Sequence, residues 1–110
     1  MQKILFVILI VFAAFLSNAQ KVFTAQSGKH ADIKVYITEN QMQADLMVYK
    51  VTDEKLLKKD GVWFFTDKES EAEKIIFLVN SPSDADLIIF YVSSPTQAGW
   101  KNPVKKKLLK

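Results

Sequence analysis

The chain has 110 residues with no Cys, no Arg and a single His, and all 15 of its basic residues are Lys. Without Cys there is no disulfide to staple a small fold, no thiolate nucleophile and no lipidation cysteine behind the N-terminal apolar run. Without Arg the usual bidentate contacts to phosphates and bases are missing, so nucleic-acid recognition is disfavoured despite a formal charge of +3.

The first segment is MQKILFVILIVFAAFLSNAQ. Lys3 supplies a short positive region, Ile4 to Leu16 is an unbroken apolar run of thirteen residues, and Ser17-Asn18-Ala19 places small residues before a cut after Ala19. That is the layout of a secretory signal peptide, with an apolar run shorter than the roughly 20 residues a membrane span needs. The expected organisation is a signal peptide over 1–19, one domain over 20–100 and a basic tail over 101–110. The mature protein is expected to be secreted or periplasmic. An uncleaved N-terminal anchor is the other reading of this segment. Removing the signal reverses the charge of the body: residues 20–100 carry nine Lys against twelve acids, whereas the tail carries five Lys and no acid.

From residue 20 onward one phrase recurs. The aromatics Phe23, Tyr36, Tyr49, Phe64, Phe77 and Phe90 are spaced by 13, 13, 15, 13 and 13 residues, each preceded by an apolar residue. An Ala follows eight residues after the aromatic, at Ala31, Ala44, Ala72, Ala85 and Ala98. An acid usually follows the Ala, at Asp32, Asp45, Glu73 and Asp86. Only the third unit departs, being two residues longer, lacking the Ala and ending on a turn-like Asp60-Gly61. Six copies of a 13-residue unit therefore tile almost the whole mature chain.

Each unit starts with a strand rich in Val, Ile, Phe and Tyr, such as DIKVYIT, DLMVYKV, EKIIFLV or DLIIFYV. A short connector follows, with helix-start chemistry: Ser81-Pro82 and Ser94-Pro95 place an N-cap Ser before a Pro at N1, and Asn40 is a weaker version. A six-residue strand runs about 20 Å, and a partly helical connector of seven residues covers only about 10 Å, so it cannot return to the start of its strand. This predicts a mainly β fold: a six-stranded antiparallel meander of strand-plus-helical-turn repeats, curled or closed into a small barrel. A short β-solenoid and a two-layer β-sandwich are the alternatives. Alternation assigns Ile33, Val35, Leu46, Val48, Trp63, Ile76, Leu87 and Ile89 to the core face, and the aromatics with Thr38, Val51 and Val92 to the other.

The repeated AD-L-x-V-Y-x-V phrase, the central Trp63-Phe64-Phe65 and the closing Gln97-Ala98-Gly99-Trp100-Lys101-Asn102 together carry a resemblance. The chain resembles a domain-of-unknown-function family of short secreted Bacteroidota proteins. The resemblance covers the mature chain and implies export and repetition; it implies no catalytic residue.

Chemistry has few footholds. His30 occupies the connector slot held elsewhere by Gln43, Glu71, Asp84 and Gln97, which marks it as a polar connector residue. The recurring acids would alternate between the two ends of a meander, which argues against a calcium loop or a glycosidase pair and for local capping. No cofactor motif, metal-ligand spacing or catalytic triad is present. The candidate binding surface is the Tyr36 and Tyr49 portion of the aromatic row, together with Lys105, Lys106 and Lys107 of the tail, for peripheral contact with an anionic membrane or wall surface. The expected protein is an exported, non-enzymatic binding or structural module acting on an envelope component or another protein. A small secreted hydrolase or metal-binding protein using the repeated carboxylates is the alternative.

Overall fold

The computed structural model describes residues 20–110; residues 1–19, on which the signal-peptide expectation falls, lie outside the described residues. Seven strands follow one another: Gln20–Thr24 (β1), Ile33–Ile37 (β2), Leu46–Val51 (β3), Val62–Phe65 (β4), Lys74–Leu78 (β5), Leu87–Tyr91 (β6) and Gly99–Trp100 (β7). A three-residue 3-10 turn precedes each strand from β2 to β7, and a longer 3-10 segment spans Pro103–Leu109.

The strands are parallel, which corrects the antiparallel meander expected from connector length. Around the sheet the order is β4, β1, β5, β2, β6, β3, and β3 pairs back to β4, so six parallel strands close into a barrel. The short β7 adds antiparallel to the start of β3. Closure removes the edges that an open sheet of such apolar strands would expose.

The meander failed because its argument assumed strands lying side by side at equal height. Following the pairings once around, the path climbs two residues along each of β1, β5, β2 and β6, three along β3 and one along β4, twelve in all. That stagger tilts the strands by about 55° from the barrel axis, steeper than in most barrels. Ile76 of β5 pairs with both Thr24 and Ile33, so β2 begins level with the end of β1, two positions around the barrel with β5 between. The connector therefore has no strand length to retrace. It crosses sideways over β5, roughly 10 Å at the ordinary strand spacing.

Stagger also turns the repeat into layers. Twelve residues over six strands is two per strand, so repeat-equivalent inward residues stand at one height. The middle layer is Val22, Ile76, Val35, Ile89, Val48 and Trp63, every one with no exposed surface. Each such side chain contributes about 1.5–3 kcal/mol by burial. Below it, Ile33, Leu46 and Leu87 join Gln20, and the buried Leu109 of the C-terminal 3-10 segment packs against this end of the core. The core face read from alternation is the barrel interior.

The connectors close as their sequence implies. Ser81 and Ser94 accept hydrogen bonds from the Ser83 and Thr96 N–H groups, and Asn40 does the same for Met42. Ala31, Ala44, Ala72, Ala85 and Ala98 are the C-caps, each returning its N–H to the first carbonyl of its turn. Each of these turns leads across the outside of a strand from the other half of the chain. Over β5 the turn lies directly on an outward aromatic: at Gly28 even a Cβ would stand 3.3 Å from the Phe77 ring.

Candidate functional site

The recurring acids are fold elements. Asp32 accepts from the Ile75 N–H and donates its own N–H to the Ile75 carbonyl, at 2.8 and 2.7 Å. Asp45 holds Ile88 in the same way, Glu73 holds Lys21, and Asp86 holds Lys34. Each acid thus clamps one residue of a neighbouring strand by two hydrogen bonds and completes the ladder where that strand begins. The four carboxylates are spread around the barrel, and no group of three potential metal ligands exists among the described residues.

The five residues singled out as a binding surface are not brought together. Tyr36 on β2 and Tyr49 on β3 are half-buried and separated by β6. The lysines belong to the tail, which is not a solvated end. Lys105 Nζ bonds to Asp45 Oδ2 at 3.2 Å and to the Asp86 carbonyl at 2.9 Å. Asn102 Nδ2 reaches Asp45 Oδ1, and Gln20 Nε2 reaches the Leu109 carbonyl at 2.8 Å. Lys106 stands 3.8 Å from Asp60, leaving Lys107 the exposed member of the three. The tail is a plug on the end of the barrel where the strands begin.

The opposite end carries the chemistry. The last inward residue of each strand forms a third layer, running Thr24, Leu78, Ile37, Tyr91, Lys50 and Phe65 around the mouth. These are the residues directly after the repeat's aromatics. Lys50 lies between its two neighbours, with Nζ 4.8 Å from the Tyr91 ring centre and 5.3 Å from that of Phe65. Aromatic faces attract a cation but do not neutralise it. Among the described residues no carboxylate pairs with Lys50. Burial pushes the Tyr91 phenol above its ordinary pKa. Phe65 rests in turn on Trp63, ring centres 6.1 Å apart. On the β1–β4 side of the rim a surface recess of about 450 Å³ is lined by Phe23, Thr24, Gln26, Phe65, Thr66 and Asp67. The sequence signal for this ring was available: it is the repeat position that stops being aliphatic in four of six copies.

Fold and site together define a class: a small repeat-built domain whose parallel barrel is wound in two interleaved turns, plugged at one end and with Thr24, Lys50 and Leu78 exposed at the other. Residues 19–101 match the family model described as the 7(1) septoil knot domain, and the chain belongs to that family. The knot of that description fits connectors that repeatedly cross outside strands of the other turn. No curated protein and no solved structure matches the chain.

Proposed function

We propose that the protein is an exported, non-enzymatic binding module of the cell envelope, and that its open barrel mouth accepts an anionic group carried on an apolar or sugar-ring body. One observation carries this reading: Lys50, with no acid paired to it among the described residues, stands in the ring that rims this end of the barrel, between Phe65 and Tyr91. An ammonium with its neighbours already in place gives an arriving carboxylate or phosphate a charged partner, and the ring faces offer stacking surface. Barrel mouths are common ligand sites for the same reason: a rigid scaffold fixes the few polar groups. The signal-peptide layout of residues 1–19 and the resemblance to short secreted Bacteroidota proteins support export to the periplasm or the medium. The family shown is a small repeat domain, which suits a structural or binding role.

The test is a titration of the mature protein, residues 20–110, with an oligouronate and with a neutral oligosaccharide of equal length, followed by amide chemical shifts. The expected result is saturable shifts around Thr24, Ile37, Lys50, Phe65, Leu78 and Tyr91 with the acidic sugar alone, abolished in Lys50→Met. Shifts that persist unchanged in Lys50→Met would refute the mouth as the site. Export is checked separately by the mass of the protein recovered outside the cytoplasm, which should begin at Gln20.

A further inference from the structure

A second site stands on independent residues, where the repeat breaks. β3 and β4 are hydrogen-bonded neighbours, so the connector 52–61 has no strand to cross. It stands beside the β3–β4 seam and leaves a recess of about 280 Å³ on the barrel's outer surface. Tyr49, Val51 and Val62 line it from the strands, and Pro95 joins them from the connector before β7. Leu56, 51% exposed, lines it from the loop. Lys58 and Lys59 complete the lining.

Charge in this loop is unevenly spent. Glu54 pairs with Lys21 at 2.6 Å, and Asp60 lies near Lys106. Asp53 caps the turn by accepting from the Lys55 N–H. All three acids are engaged, whereas the ammonium groups of Lys58 and Lys59 have no hydrogen bond or ion pair among the described residues. Joining two adjacent strands requires the tight turn at Gly61, but it does not require an exposed Leu56 or two unpaired lysines beside an apolar hollow.

We propose that this recess is a binding site for a small monocarboxylate with a compact apolar body of about phenyl size, the apolar group against Tyr49, Val51 and Val62 and the carboxylate facing Lys58 and Lys59. The volume lies just below the usual range for small-molecule pockets, about 300–1,000 Å³, which selects one ring or a short branched chain. A carboxylate on the rim gains from both ammonium groups, and the gain is screened by salt.

The experiment titrates the mature protein with 3-phenylpropionate and, in parallel, with its uncharged amide, reading amide chemical shifts. The acid is expected to shift Tyr49, Leu56 and Val62 saturably, at least tenfold more tightly than the amide, with affinity falling as salt rises. Lys58→Ala/Lys59→Ala should bind the acid about tenfold more weakly while keeping its melting temperature, since both residues are exposed. Leu56→Ser should weaken acid and amide alike. Lys50→Met should change nothing here, which separates this site from the barrel mouth. No saturation, equal binding of acid and amide, or an unchanged affinity in the double variant would each overturn the proposal.

Discussion

Asp45 is the residue on which two parts of the molecule converge, and replacing it with Ala should reveal how much the tail contributes. Its Oδ2 accepts from the Ile88 N–H at 2.8 Å and from Lys105 Nζ at 3.2 Å, and its Oδ1 accepts from Asn102 Nδ2 at 3.2 Å. The residue is 8% exposed, so water cannot easily replace what is lost. Leaving the Ile88 N–H without its acceptor costs about 1–3 kcal/mol. The Lys105 pair, partly exposed on the lysine side, adds under about 1 kcal/mol after screening. A total near 3 kcal/mol lowers the melting temperature of a domain this size by about 15 °C. Asp32 is the control. It makes the same clamp, on Ile75, but it is exposed and touches no part of the tail, so Asp32→Ala should cost about 1 kcal/mol. Urea unfolding followed by tryptophan fluorescence measures both, and a double-mutant cycle of Asp45→Ala with Lys105→Met isolates the tail's share. If Asp45→Ala costs no more than Asp32→Ala, the tail is not an energetic plug and the reasoning fails.

Further expectations can be checked with the same protein. Gly61 has φ +85°, and a Cβ there would lie 2.5 Å from the Met47 carbonyl oxygen and 2.6 Å from the Gly99 nitrogen, so Gly61→Ala should cost at least about 3 kcal/mol or prevent folding. Gly99→Ala, with φ +143° but nothing within 4 Å, should cost clearly less in the same urea titration. The raised Tyr91 pKa, caused by burial, and the raised Lys21 pKa, caused first by its hydrogen bond to Glu54, act in one direction. Their contributions are intact below the ordinary values of 10.0 and 10.5 and are lost as pH rises through the folded values. Stability should therefore fall on the alkaline side, and Tyr91→Phe should remove the late component of tyrosinate absorbance. Fragments 20–57 and 58–110 should each lack β signal in circular dichroism and gain it only on mixing, because every strand pairing joins one fragment to the other.

Strand positions, inward residues and turn caps were legible because each rests on local chemistry. Val35, Val48 and Ile89 declare a buried face by alternation, and Ser81-Pro82 and Ser94-Pro95 declare a turn by capping. The role of the acids was half legible: a slot shared by Asp32, Asp45, Glu73 and Asp86 implied capping, but the partners lie 43 or 52 residues away. The tail was illegible for a similar reason. KNPVKKKLLK reads as a basic tail for contact with an anionic surface, and only the barrel end supplies a seat for Leu109 and an anchor, Asp45, for Lys105 and Asn102. Lys50 was passed over because, although alternation puts it on the face of Leu46 and Val48, a charged residue at the end of a strand reads as solvated.

Strand direction was hidden by the regularity of the repeat itself. Interchangeable units satisfy a meander, in which each pairs with the next, as readily as this barrel, in which β1, β2 and β3 pair only with β4, β5, β6 and β7. The irregular unit MVYKVTDEKLLKKDG breaks that degeneracy. Each connector from β1 to β3 advances two positions around a six-position barrel, and so does each from β4 to β6. Three such units complete a circuit, so a fourth placed by the same rule would fall on β1. The third connector instead steps to the adjacent position, with two extra residues and the left-handed Gly61 making the step. That single-strand slip sets β5 and β6 into the gaps between the first three strands and brings β4 between β3 and β1. The one place where the sequence departs from its own pattern is thus the place that lets two open turns close into one barrel.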